Sequence, residues 1–359
     1  MSNVIQDCGR ILLGIQIDGI GQRMQNKLNI IHQVQNDLYD SVKTKRLIAG
    51  ALIRDTALSI FNWHTSALDI VAQVGFEGGL QFLLENVCKA ASYTKEDMEK
   101  AACRLLVPLH CALLGSLLAS YNIQHFKTVS PQALACILAG FNSDVASSKL
   151  KYASVFYCTG DMERAALVLR DIENQYNTAV VEPMCGCYKH FIPAFSESFC
   201  TACYDGDEES IREIVAFCVR YLPYEIQCVP LELQYEMFRS TQEELLEREE
   251  SESWMDWAVV DALPFMYFLQ YKTYGSLQRT EDQQRALDNL RMAIEKEANL
   301  GHRETALNLL GQCLEQQNKP DDALNCYMSS LKIRGRNNAA GLHICKLLAN
   351  TIRVLYLIK

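Results

Sequence analysis

The sequence predicts an all-α protein, a helical domain followed by an α-solenoid of stacked helix pairs, and three observations carry that expectation. Apolar residues recur at helical spacing along most of the chain, and strand-like alternation is confined to short runs. Helix starts are marked repeatedly: Ser130 before Pro131, Thr280 with Gln283, and Pro320 ahead of Asp321 and Asp322. The third observation is residues 305–338, TALNLLGQCLEQQNKPDDALNCYMSSLKIRGRNN, which spell one helix–turn–helix unit.

In that unit Leu307, Leu310 and Gly311 lie on the first helix, where the glycine admits a close neighbour. Ala323 supplies the small contact between the two helices, and Tyr327 and Leu331 continue its seam. This is the spacing of a tetratricopeptide repeat, whose period is about 34 residues. Such a unit cannot bury its own apolar face and must stack on others.

Taken in order, residues 1–130 read as a helical N-terminal region, interrupted by glycines at 14, 19, 21, 50, 75, 78 and 79. Gly19 and Gly21 lack the third glycine and the strand–helix setting of a dinucleotide site. Thr94 with Asp97 opens a helix toward Tyr121. Residues 105–126 carry no Asp, Glu, Lys or Arg. Their strongly apolar part stops near Ala119, short of the roughly 20 residues a membrane span needs, so a buried helix is expected.

Residues 131–256 read as a central helical domain with a cysteine-rich loop. It contains a hairpin over 145–176, turning at Thr159-Gly160-Asp161 and seamed by Ala165, Leu169 and Ile172. Short helices follow near 209–221 and 230–250, and the charged run 243–252 reads as a solvated helix end. Residues 257–359 form the repeat stack. One hairpin spans 264–298 with Ala286, Leu290 and Ala293, Gly301 is placed to end it, the 305–338 unit follows, and 339–358 cap the stack.

Composition narrows the function. An apolar share of 49% over 359 residues suits a folded chain. Fifteen cysteines, with Asp7 and Arg10 interrupting any apolar leader, suggest reduced thiols in the cytoplasm. The net charge of −9 concentrates in residues 205–256, where 15 acidic side chains face 4 basic ones. No segment carries the strongly basic surface of a phosphate-backbone binder, so general nucleic-acid binding is not expected, and the short apolar run at 105–126 gives no expectation of a membrane partner.

Several phrases are long enough to be specific: Trp254-Met255-Asp256-Trp257-Ala258-Val259-Val260-Asp261, Leu233-Gln234-Tyr235-Glu236-Met237-Phe238, residues 301–311 and residues 157–164. Over about 140–359 the chain resembles the C-terminal helical half of male-abnormal-twenty-one-like proteins, relatives of the cyclic GMP–AMP synthases. The resemblance implies kinship with innate-immune sensors and developmental regulators. The family's other half is a nucleotidyltransferase with a Gly-Ser turn and three carboxylates for two magnesium ions. Gly115-Ser116 lies in an apolar helical run, and Asp205, Asp207, Glu208 and Glu209 follow no such turn. The resemblance therefore carries no catalytic residue across.

Two constellations remain. Cys185-Gly186-Cys187 and Cys200-x-x-Cys203, with His190 between them, offer four thiolates that would surround a structural zinc, against the alternative of reduced loop or core cysteines and no cofactor. His64, His110, His125, His302 and His343 lie beside apolar residues and read as packed histidines. Asp261, just ahead of Ala262-Leu263-Pro264, reads as a helix cap. On a tetratricopeptide pair the polar positions of the first helix line an inner groove: here Asn308, Gln312, Glu315 and Gln316, with Tyr271 and Arg279 from the unit before. The expected function is a non-catalytic scaffold for a protein or peptide ligand. The alternative is a divergent or truncated nucleotidyltransferase making cyclic dinucleotides.

Overall fold

The computed structural model describes residues 42–92, 97–188, 195–206 and 210–357. The readings of residues 1–41 (Gly19 and Gly21 among them), Thr94, His190 and Asp207 to Glu209 lie outside the described residues. The chain is predominantly helical, as expected. Helix α1 (Val42–Ser92) is broken at Gly75, whose φ of 80° no continuous helix holds. It packs on α2 (Asp97–Phe126), which runs through Pro108. Helix α3 (Pro131–Ala139) starts as read, with the Ser130 hydroxyl accepting from the Ala133 amide.

The first hairpin is α4 (Ser147–Thr159) with α5 (Met162–Gln175). The acidic middle then departs from a purely helical reading. It contains strands β1 (Glu182–Met184), β2 (Val215–Phe217) and β3 (Val219–Tyr221), which with β4 (Ala258–Val260) form two small sheets. β1 and β2 are parallel, pairing Met184 with Phe217, and β3 and β4 are antiparallel. Each strand has three fully buried residues, so none shows the half-buried alternation that betrays a strand in sequence. Between them lie α6 (Glu197–Asp205), α7 (Ile211–Ile214), α8 (Leu231–Gln234), α9 (Gln242–Leu246) and several 3₁₀ turns.

The C-terminal part is α10 (Ala262–Ser276) with α11 (Thr280–Lys296), α12 (Arg303–Gln316) with α13 (Pro320–Ile333), and α14 (Ala340–Leu357) against the last pair. The three hairpins turn identically. Gly160, Gln278 and Asn318 take left-handed backbone, at φ 83°, 59° and 56°. The amide of the next residue reaches back to the carbonyl of Phe156, Tyr274 or Leu314 at 2.9–3.0 Å, the closure of a Schellman turn. Thr280 and Gln283 do not form the expected capping box; Arg279 precedes the helix and makes no side-chain cap. Gly311 touches the Tyr327 ring so closely that a Cβ would sit 2.4 Å from Cε1, and Ala323 and Tyr327 are fully buried.

Two apolar cores run through the molecule, and neither follows the sequence boundaries at 130 and 256. One joins α2–α5 to β3, β4 and the C-terminal hairpins. The other joins α1 and α2 to α6, β2 and Trp254 to Trp257. By length and composition, residues Val42–Ala90 and Cys103–Phe126 are long and apolar enough to cross a membrane. In the second, 78% of the most apolar window is buried within the protein, against 33% in the first.

Candidate metal centre and the adjoining cleft

The parallel register of β1 and β2 decides what meets at the seam of the two cores. Met184 and Phe217 are the last paired residues, and the Cys218 amide donates to the Met184 carbonyl at 3.0 Å. The next residues out of the pair are Cys185 and Cys218. Cys187 returns toward Cys185, donating its amide to the Cys185 sulfur at 3.4 Å. The fourth member comes from the loop ahead of α12, where His302 Nε2 lies 3.2 Å from Cys185 Sγ. The ligand atoms of Cys185, Cys187, Cys218 and His302 all lie within 4.8 Å of one another.

Each piece of this cluster is held from behind. Asp261 accepts from the amides of Gly301 (3.1 Å) and His302 (2.7 Å), so its carboxylate fixes the loop and does not cap its own helix. Gly301, expected to end α11, lies beyond that helix. A Cβ there would stand 2.5 Å from Cys185 Cβ, so only glycine lets the two loops meet. The His302 ring lies among Tyr188 and Trp254, at centroid distances of 5.3 and 5.1 Å. Its Nδ1 faces Glu304 Oε1 at 3.4 Å, and the Tyr188 hydroxyl donates to the same oxygen at 2.6 Å.

The electrostatics are those of buried charges that stabilise one another. Burial disfavours the His302 imidazolium, but the Cys185 sulfur and Glu304 outweigh it and push its pKa up to about 10. Burial likewise opposes the Glu304 carboxylate, yet His302 and Tyr188 hold it at about 2. Burial would raise Cys187, but hydrogen bonds from the Cys185 and Cys218 thiols and the Arg220 guanidinium bring it well below the usual thiol range. Cys218 is pushed up by burial and by its thiol neighbours.

Beside the cysteines opens a cleft of about 490 Å³, lined among others by Arg54, Asp69, Arg220, Trp254 and Trp257. Its cations already have partners within the fold. Arg54 pairs with Glu182 at 3.1 Å. Arg220 donates to Thr65 Oγ1 at 2.5 Å, contacts His64 Nδ1 at 2.8 Å and lies 3.8 Å from the centre of the Phe61 ring. A larger cavity of about 820 Å³ borders Asp144 and Lys149, but the Asp144 carboxylate there is engaged by Ser143, Ser147 and the Phe217 amide.

Of the four cysteines expected to group together, the structure brings two into this cluster. Cys185 and Cys187 belong to the cluster. Cys200 and Cys203 do not: they lie on α6, buried in the core, with Cys200 Sγ against Gly50 of α1. Cys218 and His302 take their places. Sequence spacing alone could not reveal them, since Cys218 lies 31 residues beyond Cys187 and His302 lies 84 residues beyond Cys218.

The expected partner groove is also corrected. Asn308, Gln312 and Tyr271 are buried, because the chain's own 231–239 segment covers that face of α12. Asn308 donates to Glu236 at 2.9 Å and to Asn338 at 3.1 Å, and Gln312 donates to the Glu232 carbonyl at 3.0 Å. Gln316 reaches the Glu232 carboxylate at 3.4 Å, which also pairs with Lys272 at 2.5 Å. The Tyr271 hydroxyl donates to the Cys313 carbonyl, Glu315 accepts from Tyr327, and Arg279 pairs with Glu163 at 2.8 Å.

Compared with known proteins, the chain matches no family model, no curated protein and no solved structure.

Proposed function

We propose that this chain is a non-catalytic interaction scaffold of the cytoplasm, built on tetratricopeptide-like hairpins and akin to the helical half of male-abnormal-twenty-one-like proteins. Its ligand is a protein or peptide. The hairpin reading is supported by the Schellman turn that recurs at Gly160, Gln278 and Asn318. The kinship rests on the sequence phrases around Tyr157, Trp254 and His302.

One observation carries the scaffold reading. Leu231, Phe238, Leu245 and Leu246 are 66%, 63%, 48% and 88% exposed on a segment anchored elsewhere through Glu232, Glu236, Arg239 and Glu244. The anchors include the α12 amides described above, Asn337, whose own amide donates to Glu244 at 2.9 Å, and Arg239, which donates to the Trp257 carbonyl at 2.7 Å. Large apolar side chains exposed on an anchored segment form a surface that binding would cover. The stretch lies within residues 205–256, where the chain's negative charge concentrates, so the complementary ligand is basic and amphipathic.

The test is a pair of exposed substitutions, Phe238→Asp with Leu246→Asp. Partners captured by the wild-type protein from cytosolic extract are expected to be lost by the double variant, with an unchanged melting temperature. Equal capture by both proteins would contradict this surface. Formation of a cyclic dinucleotide from ATP and GTP with magnesium and double-stranded DNA would contradict the non-catalytic reading itself.

A further inference from the structure

The cluster at the seam of the two cores has the composition of a metal centre, and it stands independently of the scaffold reading. Three sulfurs and one imidazole nitrogen converge from three stretches of chain far apart in sequence. Soft thiolates with one imidazole select zinc over hard cations such as magnesium or calcium. Dimensions agree. A tetrahedral zinc with Zn–S near 2.3 Å and Zn–N near 2.0–2.1 Å separates its ligand atoms by about 3.5–3.8 Å. The observed set spans 3.2 Å for Cys185 Sγ to His302 Nε2, up to 4.8 Å at most.

The surroundings are those a bound metal requires. His302 presents Nε2 to the sulfurs while Nδ1 faces the Glu304 carboxylate at 3.4 Å, the arrangement of carboxylate–histidine–metal sites. The cysteine side of the cluster borders the 490 Å³ cleft, an entry path for the ion, while Cys218 and His302 are buried. We propose that Cys185, Cys187, Cys218 and His302 bind one structural zinc ion, with Glu304 and Tyr188 orienting the histidine. Binding replaces the remaining thiol protons, which leave to solvent, and no redox step is involved.

Such a site would staple the β1–β2 seam to the loop before α12. All four positions are filled by protein, so the ion has no open coordination site for a substrate and its role is structural. A competing arrangement is a disulfide between Cys218 and one of the other two cysteines, which would exclude the metal.

The test uses the full chain purified without chelator. Elemental analysis is expected to give about one zinc per chain, released in full when the thiols are titrated with a mercurial. Cobalt substituted for zinc should show the visible bands of a tetrahedral thiolate site. Cys218→Ser should lose the metal, whereas Cys200→Ser with Cys203→Ser should keep it. Glu304→Gln should retain the site with zinc affinity lowered about 10–100-fold. Because a ligand variant that misfolds would also lack metal, the wild-type stoichiometry and the Cys200/Cys203 double variant decide the matter. A folded wild-type chain free of zinc, an intact mass showing a disulfide, another metal in place of zinc, or zinc lost with Cys200 and Cys203 would each overturn the proposal.

Discussion

Replacing Asn308 with alanine separates an open groove from a face already filled. In an open groove the amide would face a ligand, and its loss would leave stability unchanged. Here Asn308 is fully buried and its Nδ2 donates to Glu236 Oε1 and Asn338 Oδ1. Asn338 Oδ1 keeps the Ala340 amide and the Ser330 hydroxyl, so most of the loss falls on Glu236. That carboxylate is itself buried and keeps the Arg239 guanidinium at 3.5 Å. A hydrogen bond to a charged group contributes about 1.5–3 kcal/mol, and the space left by the truncated side chain adds to this, so the variant should lose about 2–4 kcal/mol.

A sign in pH accompanies the loss. Burial raises the Glu236 pKa above 4.5, and Arg239 and Asn308 work against that rise. Without Asn308 the folded carboxyl moves further up and binds a proton more readily than the unfolded one. Stability is then lost as pH rises through the folded pKa, so the deficit of Asn308→Ala should be smallest in acid and largest above neutrality. Urea unfolding of wild type, Asn308→Ala, Glu236→Gln and the double variant measures the coupling between the two residues. A single variant within about 0.5 kcal/mol of wild type, the range of surface substitutions, would refute the buried face.

Two further outcomes follow from buried charge. Lys151 Nζ lies 2.6 Å from Glu225 Oε1, which also accepts from the Ser116 hydroxyl, with the Leu222 amide on its second oxygen. Lys151→Met should cost about 3–5 kcal/mol by leaving that carboxylate unpaired, and Glu225→Gln in the same background should recover part of it; denaturant midpoints check both. Glu182 is pushed up from 4.5 to about 7, chiefly by burial, with Glu297 reinforcing and Arg54 and Asn299 opposing. Its contribution to stability is present below about pH 4.5 and is lost as pH rises through about 7, so Glu182→Gln should flatten that part of the stability–pH curve.

The helices were legible where local chemistry fixes them. Ser130-Pro131 starts α3, Pro320 starts α13, and Gly160 turns the first hairpin as the sequence indicates. Gln278 turns the second hairpin in a left-handed conformation that its residue type does not advertise. The strands stayed hidden because their three-residue runs are buried on both faces. At the candidate centre, the spacing of Cys185 and Cys187 marks them in the sequence, whereas Cys218 has no cysteine near it in the chain. Only the register of β1 against β2 brings Cys218 alongside, and only the Asp261 grip on residues 301–302 brings in His302. The groove misled for a related reason. A polar amide among leucines marks a partner, but sequence does not say whether that partner is another molecule or the chain's own Glu236.

The proposed zinc site would join three remote stretches of chain, at Cys185–Cys187, Cys218 and His302. X-ray absorption at the zinc edge of the native protein reads that coordination shell without any substitution. It is predicted to fit three sulfurs at about 2.3 Å and one nitrogen at about 2.0–2.1 Å. A shell of four sulfurs, a shell of nitrogen and oxygen alone, or no zinc edge at all would contradict the site.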